Sequence, residues 1–362
     1  MRSKPPFARF RRGGARFVLR NAVSCSGMTF RGRRAAAIEN DQLRVTVLEG
    51  GGHVAEILDK RTGISPLWIP HWDTIEPADY DPARHPQFGG GADASLLAGI
   101  MGHNLCLDIF GGPCAEETTA GLPAHGETSV ARFAIDARGD RLAMHAVLPN
   151  AQLRVSREIS LAGHEVRIRE SVENLASTDR PVGWTEHVTL GPPFLAKGAT
   201  EFRIAADRSI VHPSTFGPAD YLDPGREFTW PHAPRTDGGT VDMRRYTHEP
   251  VSSAYTAHRM DAGAEVASFT AFSPEHQLLF GYSWRRADFP WLGIWEENCS
   301  RTGPPWNGRA LTCGMEFGVS PFPESRREMI QRGRLFDTPA YRWIPARTRV
   351  DVAYTAQLRS QC

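Results

Sequence analysis

The chain has 362 residues, 41% hydrophobic and 23% charged, with 34 glycines and 27 prolines. Such turn-rich globular composition excludes coiled coil and, over most of the length, disorder; no apolar run nears the roughly 20 residues of a membrane-spanning helix. The net charge of +1 hides an asymmetry: residues 1–34 hold ten of the 42 bases and no acid, leaving the rest at −9, a poor match for nucleic acid.

The basic leader comes first. Its apolar stretch Phe17-Val18-Leu19 is cut by Arg20, too short for a signal-peptide core, and Arg11-Arg12 is a faint twin-arginine signal. Met28 opens the patterned region, so residues 1–34 are expected to be a disordered extension, with residues 1–27 dispensable or upstream of the working start. Residues 35–362 then form one domain, a length that β-sandwiches reach as a single unit. Six cysteines (25, 106, 114, 299, 313, 362) make no C-x-x-C pair, so reduced thiols and a cytoplasmic setting are expected, the leader leaving export or targeting open.

Period-2 alternation then dominates. Leu43, Val45 and Val47 lead through Gly50–Gly52 to Val54–Leu58, an opening hairpin that ends in the turn Asp59-Lys60-Arg61-Thr62-Gly63. Residues 64–127 lose the pattern and predict a long loop, with Ser95–Met101 a weak helix. Four alternating runs follow (Val130–Asp136, Leu142–Leu148, Leu153–Leu161, Glu165–Val172), broken at Arg138-Gly139-Asp140, Pro149-Asn150 and Ala162-Gly163-His164. Residues 212–250 predict a second long loop, and Glu324–Arg332, stopped by Gly333, the best helix. Regular short strands predict an all-β antiparallel sandwich whose long loops carry function.

Several motifs fail on context. Gly89–Ala94 matches G-x-G-x-x-A, but the preceding residues 81–88 hold two prolines and no β-branched residue, so no strand feeds the glycines. His125-Gly126-Glu127 mimics the H-x-E of zinc deaminases without the P-C-x-x-C that completes the metal site. No metal, nucleotide or serine-hydrolase motif is found. What remains is a set of ionisable residues in constrained settings: His103 after Gly102, His125 between Pro123 and Gly126, Glu186-His187 after Trp184, and Glu316 inside the apolar run Met315–Val319. A carboxylate in such a strand is an ion-pair partner or a tuned base. Four tryptophans (284, 291, 295, 306) crowd into 23 residues, and aromatic rings suit the apolar faces of sugars, although core packing is the commoner fate of any one.

Taken in order, these motifs resemble the galactose mutarotase (aldose 1-epimerase) superfamily over about residues 36–358. Ala98–Asn104 looks like the G-R-Y-x-N-R segment, Leu122–Gly126 like the sugar-binding H-G, and Trp184–Leu190 like T-N-H-x-Y-F-N-L. Gly239–Arg244 is similar to T-P-F-D-F-R, and Leu311–Glu316 to the strand presenting the family's glutamate. His103 stands in place of the first family arginine, Leu107 or Asp108 in place of the second, and Glu186 in place of an asparagine. The resemblance implies a large antiparallel supersandwich with few short helices and an isomerase that interconverts sugar anomers without a cofactor, its partner a small sugar. It implies Glu316 as base and His187 as acid, with His125, His103, Asp242 and Trp291 or Trp295 on the sugar. Alternatives are a non-catalytic carbohydrate-binding protein on the same fold, a related sugar isomerase or lyase, and a purely structural Glu316 paired with a neighbouring arginine.

Overall fold

The computed structural model describes residues 28–360. Within them two antiparallel sheets pack face to face. One sheet has twelve strands; in spatial order they are Thr29–Phe30, Arg33–Glu39, Leu43–Leu48, Val54–Asp59, His103–Asp108, Arg180–Leu190, Leu311–Gly318, Trp291–Asn298, Ser252–Met260, Ala206–Val211 and Glu227–Phe228, with Arg342–Ile344 paired to the start of Arg180–Leu190. The other has eight, in the order Glu201–Ile204, Val266–Ser273, Leu278–Arg285, Arg349–Ser360, Glu165–Asn174, Leu153–Ala162, Arg141–Leu148 and Ala134–Arg138. The core lies between them: Val45, Leu105, Trp184, Val188, Met315 and Phe317 of the first meet Leu142, Val155, Ile168, Phe269, Phe280 and Tyr354 of the second. No described helix is long and apolar enough to cross a membrane.

The alternating runs read from the sequence become four successive neighbours of the eight-stranded sheet: three of them bury every second side chain, and the edge strand Ala134–Arg138 half-buries every second one. The expected helix forms at Arg326–Arg332: Ser325 and Glu328 make a reciprocal capping box, and Gly333 ends it with a φ of 63°. Two expectations need correction. Residues 29–34, assigned to the basic extension, start the sheet; the Arg33 guanidinium is buried and donates to the carbonyls of Gly99 (2.9 Å) and Gly50 (3.0 Å). The rest of that extension, residues 1–27, lies outside the described residues. Second, the stretch predicted as a loop from 64 to 127 contains the central strand His103–Asp108. All six of its residues are buried, so a strand covered on both faces carries no alternation to read.

The sandwich also encloses acids whose protonation couples to stability. Burial pushes the Glu170 carboxyl up to about 8 against the opposing pull of Arg157, and burial raises Glu296 to about 7. Both keep protons in the folded state that the unfolded chain has released above the ordinary carboxylate range. Stability therefore falls as pH rises through the folded values. Buried His53 and His258, held near 3 by burial, act in the opposite sense only below the ordinary imidazole pKa. The melting temperature is thus expected to be higher at pH 6.5 than at pH 8.5; a scanning-calorimetry curve that stays flat or rises over that interval would refute the assignment.

Candidate active site

The site is laid out by strand register on the face of the twelve-stranded sheet turned away from its partner sheet. Cross-strand pairing puts Asn104 opposite His187, His187 opposite Glu316, Glu316 opposite Gly293, and Gly293 opposite Ala257. The next row of the same face runs Thr189, Gly314, Trp295, Tyr255. Directly opposed residues share a face, so five strands supply one surface. Glycine is required at two of these positions: a Cβ on Gly314 would lie 2.3 Å from Glu316 Oε1, and one on Gly293 would lie 2.0 Å from the Tyr255 hydroxyl. The missing side chains make room for the carboxylate.

At the centre, His187 Nε2 meets Glu316 Oε1 at 2.9 Å. The other imidazole nitrogen, Nδ1, is 3.0 Å from the Thr189 hydroxyl, which fixes the ring plane. The Tyr255 hydroxyl lies beside the Glu316 carboxylate and 3.3 Å from the Pro321 carbonyl; burial and that carboxylate push its pKa well above the ordinary phenol value, so it is a neutral donor. The ring of His125 stands 4.9 Å from that of His187, and the indole of Trp295 5.8 Å from it on another side. Burial, then the neighbouring His187, drives the His125 pKa well below the imidazole range. His125 is therefore neutral; Asn104 Nδ2 donates to its Nδ1 at 3.4 Å, which leaves the proton on Nε2 as a donor. His187, Glu316, Tyr255, His125 and Trp295 line a cavity of about 360 Å³ walled by Leu96, Phe110 and Trp306, a size that suits one monosaccharide.

His125 is held there by strain. Its φ is +64°, rare for a residue with a side chain, and its amide and carbonyl are fixed by Gly111 and Leu107. Gly126 follows at +76°, and a Cβ on it would sit 1.9 Å from the Leu107 carbonyl oxygen. Gly126→Ala is expected to cost roughly 2–4 kcal/mol of stability and to unseat His125; urea unfolding indistinguishable from wild type would show the turn to be free.

Of the residues expected on a sugar, Glu316, His187, His125 and Trp295 converge on the cavity, and three do not. His103 faces the opposite side of its strand, fully buried between the sheets, with Nδ1 2.9 Å from the Tyr282 hydroxyl and Nε2 2.8 Å from Glu186 Oε2. One residue of register separates it from Asn104, and a single step along a strand exchanges faces. Asp242 lies on the surface, in a two-stranded ribbon, ion-paired with Arg244. Trp291 shares the face of Trp295 but is covered: its indole nitrogen donates to the Pro339 carbonyl at 2.8 Å and its ring packs on Phe336. Sequence reasoning missed Asn104, Thr189, Tyr255 and Arg301. The period-2 step from His187 to Thr189 was the one signal that could have found any of them. The alternative of a Glu316–arginine pair finds no support: the Glu316 carboxylate meets the His187 imidazole, and no arginine pairs with it among the described residues.

Beneath the site, on the buried face of the same strands, Glu186 joins a polar network. Arg157 donates to Glu170 (2.6 Å) and Glu186 (3.0 Å), Trp184 Nε1 to Glu170 (2.8 Å), and the Tyr354 hydroxyl to Glu186 (2.8 Å). Asp108 takes a bidentate grip from Arg180 (2.8 Å twice) and a further bond from Arg326. No group of metal-ligating side chains is found among the described residues.

Comparison with solved structures places the architecture. A candidate aldose 1-epimerase from Escherichia coli K12 superposes with a TM-score of 0.60 at 12% identity, over 91% of this chain and 100% of that one. A galactose mutarotase-like protein from Clostridium acetobutylicum gives 0.59 at 12%, over 92% and 98%. The galactose mutarotase related enzyme from Lactobacillus acidophilus gives 0.58 at 11%, over 90% and 97%. No family model matches the sequence. No curated protein sequence matches it either. The chain thus has the galactose mutarotase-like fold.

Proposed function

We propose that the protein interconverts the anomers of a sugar, with Glu316 as base and His187 as acid. The observation that carries this reading is the His187–Glu316 pair itself, 2.9 Å apart, on the wall of a monosaccharide-sized cavity beside a neutral histidine and an indole. The two oxygens that exchange protons in mutarotation are bonded to the same carbon, so an acid and a base that serve both must be neighbours. Glu316 takes the proton of the C1 hydroxyl; the C1–O bond to the ring breaks as the carbonyl forms, and the ring oxygen takes the proton from His187 Nε2. Rotation about C1–C2 and the reverse sequence close the ring on the other face. The protons return to their donors, so no cofactor is consumed. His125 donates its Nε2 proton to a sugar oxygen, and Trp295 offers a wall to the apolar face of the ring.

A second reading, sugar binding without turnover, is favoured by one observation: His187 and Glu316 satisfy each other directly. Polarimetry of freshly dissolved α-anomers separates the two. Accelerated decay of rotation supports exchange, whereas saturation-transfer binding with no acceleration supports the binding role.

A further inference from the structure

Arg301 stands on the wall of the same cavity, and the proposed exchange makes no use of it. Its guanidinium carbon lies 5.4 Å from the ring centre of Trp295 and 5.0 Å from that of Trp306, so two indoles hold it. Its Nε faces Glu297 Oε2 at 3.4 Å. Glu297 is fixed in turn, buried and accepting from the Ser300 amide and hydroxyl at 2.7 Å each and from the Arg301 amide at 3.1 Å. The side chain is anchored by its stem and faces, while its two Nη groups donate to no protein acceptor among the described residues. Arg301 is also the sole lysine or arginine lining the cavity among those residues; the one exposed acid there is Asp93, in the loop before the short helix, where solvent screens it.

We infer that Arg301 is an anion subsite and that the substrate is a monosaccharide carrying a carboxylate or phosphate. The planar fork of two Nη donors matches two oxygens of such a group, whereas a hydroxyl of a neutral sugar answers only part of it. This rests on the exchange reading above and extends it from sugars in general to acidic ones.

The test is exchange and saturation-transfer NMR of the full chain with D-glucose, D-galactose, D-glucuronate, D-galacturonate and D-glucose 6-phosphate. Acidic sugars are expected to exceed their neutral parents in kcat/KM by about tenfold or more, the size of a charge-assisted bond. Whether uronates or the phosphate respond identifies the anion. Arg301→Ala and Arg301→Gln should erase the preference through KM, with Arg301→Lys restoring part of it. Equal or better use of neutral sugars, or a preference that survives in both Arg301→Ala and Arg301→Gln, would overturn the inference. If no sugar is exchanged, the exchange reading fails but the inference is still decided in the same tubes: selective binding of acidic sugars that is lost in Arg301→Gln upholds it, and unselective or absent binding overturns it.

Discussion

Glu316→Gln and His187→Ala are each expected to slow anomer exchange by about two to four orders of magnitude, the usual worth of a positioned acid or base. Glutamine keeps the shape of the side chain and the space opened by Gly314 and Gly293, but cannot take a proton. Alanine at 187 removes the proton donor and the partner of Glu316 together. In the proposed mechanism the two act as one proton relay, so the double variant should be little worse than either single one. Two-dimensional exchange NMR measures all three, with far-ultraviolet circular dichroism as the check on folding. Catalysis retained in both single variants would remove the pair from the mechanism.

The second large effect belongs to stability. Arg157 is buried between the sheets and is the cation that faces Glu170 and Glu186 there. Arg157→Leu leaves two carboxyl groups, the Tyr354 hydroxyl and His103 to share what remains, and breaking a buried ion pair from one side costs roughly 3–5 kcal/mol. Adding Glu170→Gln and Glu186→Gln to the same chain should recover part of the loss, because uncharged amides need no counter-ion there. Urea midpoints of the single and triple variants give the comparison. A loss under about 1 kcal/mol for Arg157→Leu would mean that the arginine is replaceable by solvent, contrary to its position. Glu186 and His187 are adjacent in sequence on opposite faces, so the same variants report whether the buried network holds the histidine in place.

Much of the fold was legible because its second sheet is half-exposed: strands such as Arg141–Leu148 bury alternate residues and announce themselves. The first sheet was harder. His103–Asp108 and most of Arg180–Leu190 are covered on both faces, by the core on one side and by the cavity with its loops on the other, so polarity stops tracking direction. That explains both the missed strand and the choice of His103 over Asn104, since without alternation the facing of a residue cannot be counted. Glu316 was visible as a charge in an apolar run, His187 and His125 through the order of motifs, and Trp295 only as one of two candidates in a crowded run of tryptophans. Trp291 and Asp242 failed for long-range reasons: the segment carrying Phe336 and Pro339 covers the first, and Arg244 takes the second. Arg301 sits in a loop beside Trp306, which stacks on Trp68 and meets Trp72 edge-on, long-range contacts that no local pattern encodes.

The most direct test is a crystal structure of the Glu316→Gln variant, slowed in turnover, soaked with an aldose or uronate. The predicted complex has the sugar in the Trp295 cavity, its C1 hydroxyl within hydrogen-bond distance of the residue 316 amide and its ring oxygen turned to the His187 imidazole. A sugar bound with C1 pointing away from both, or seated anywhere else on the protein, would contradict the assignment of this cavity as the place where anomers are exchanged.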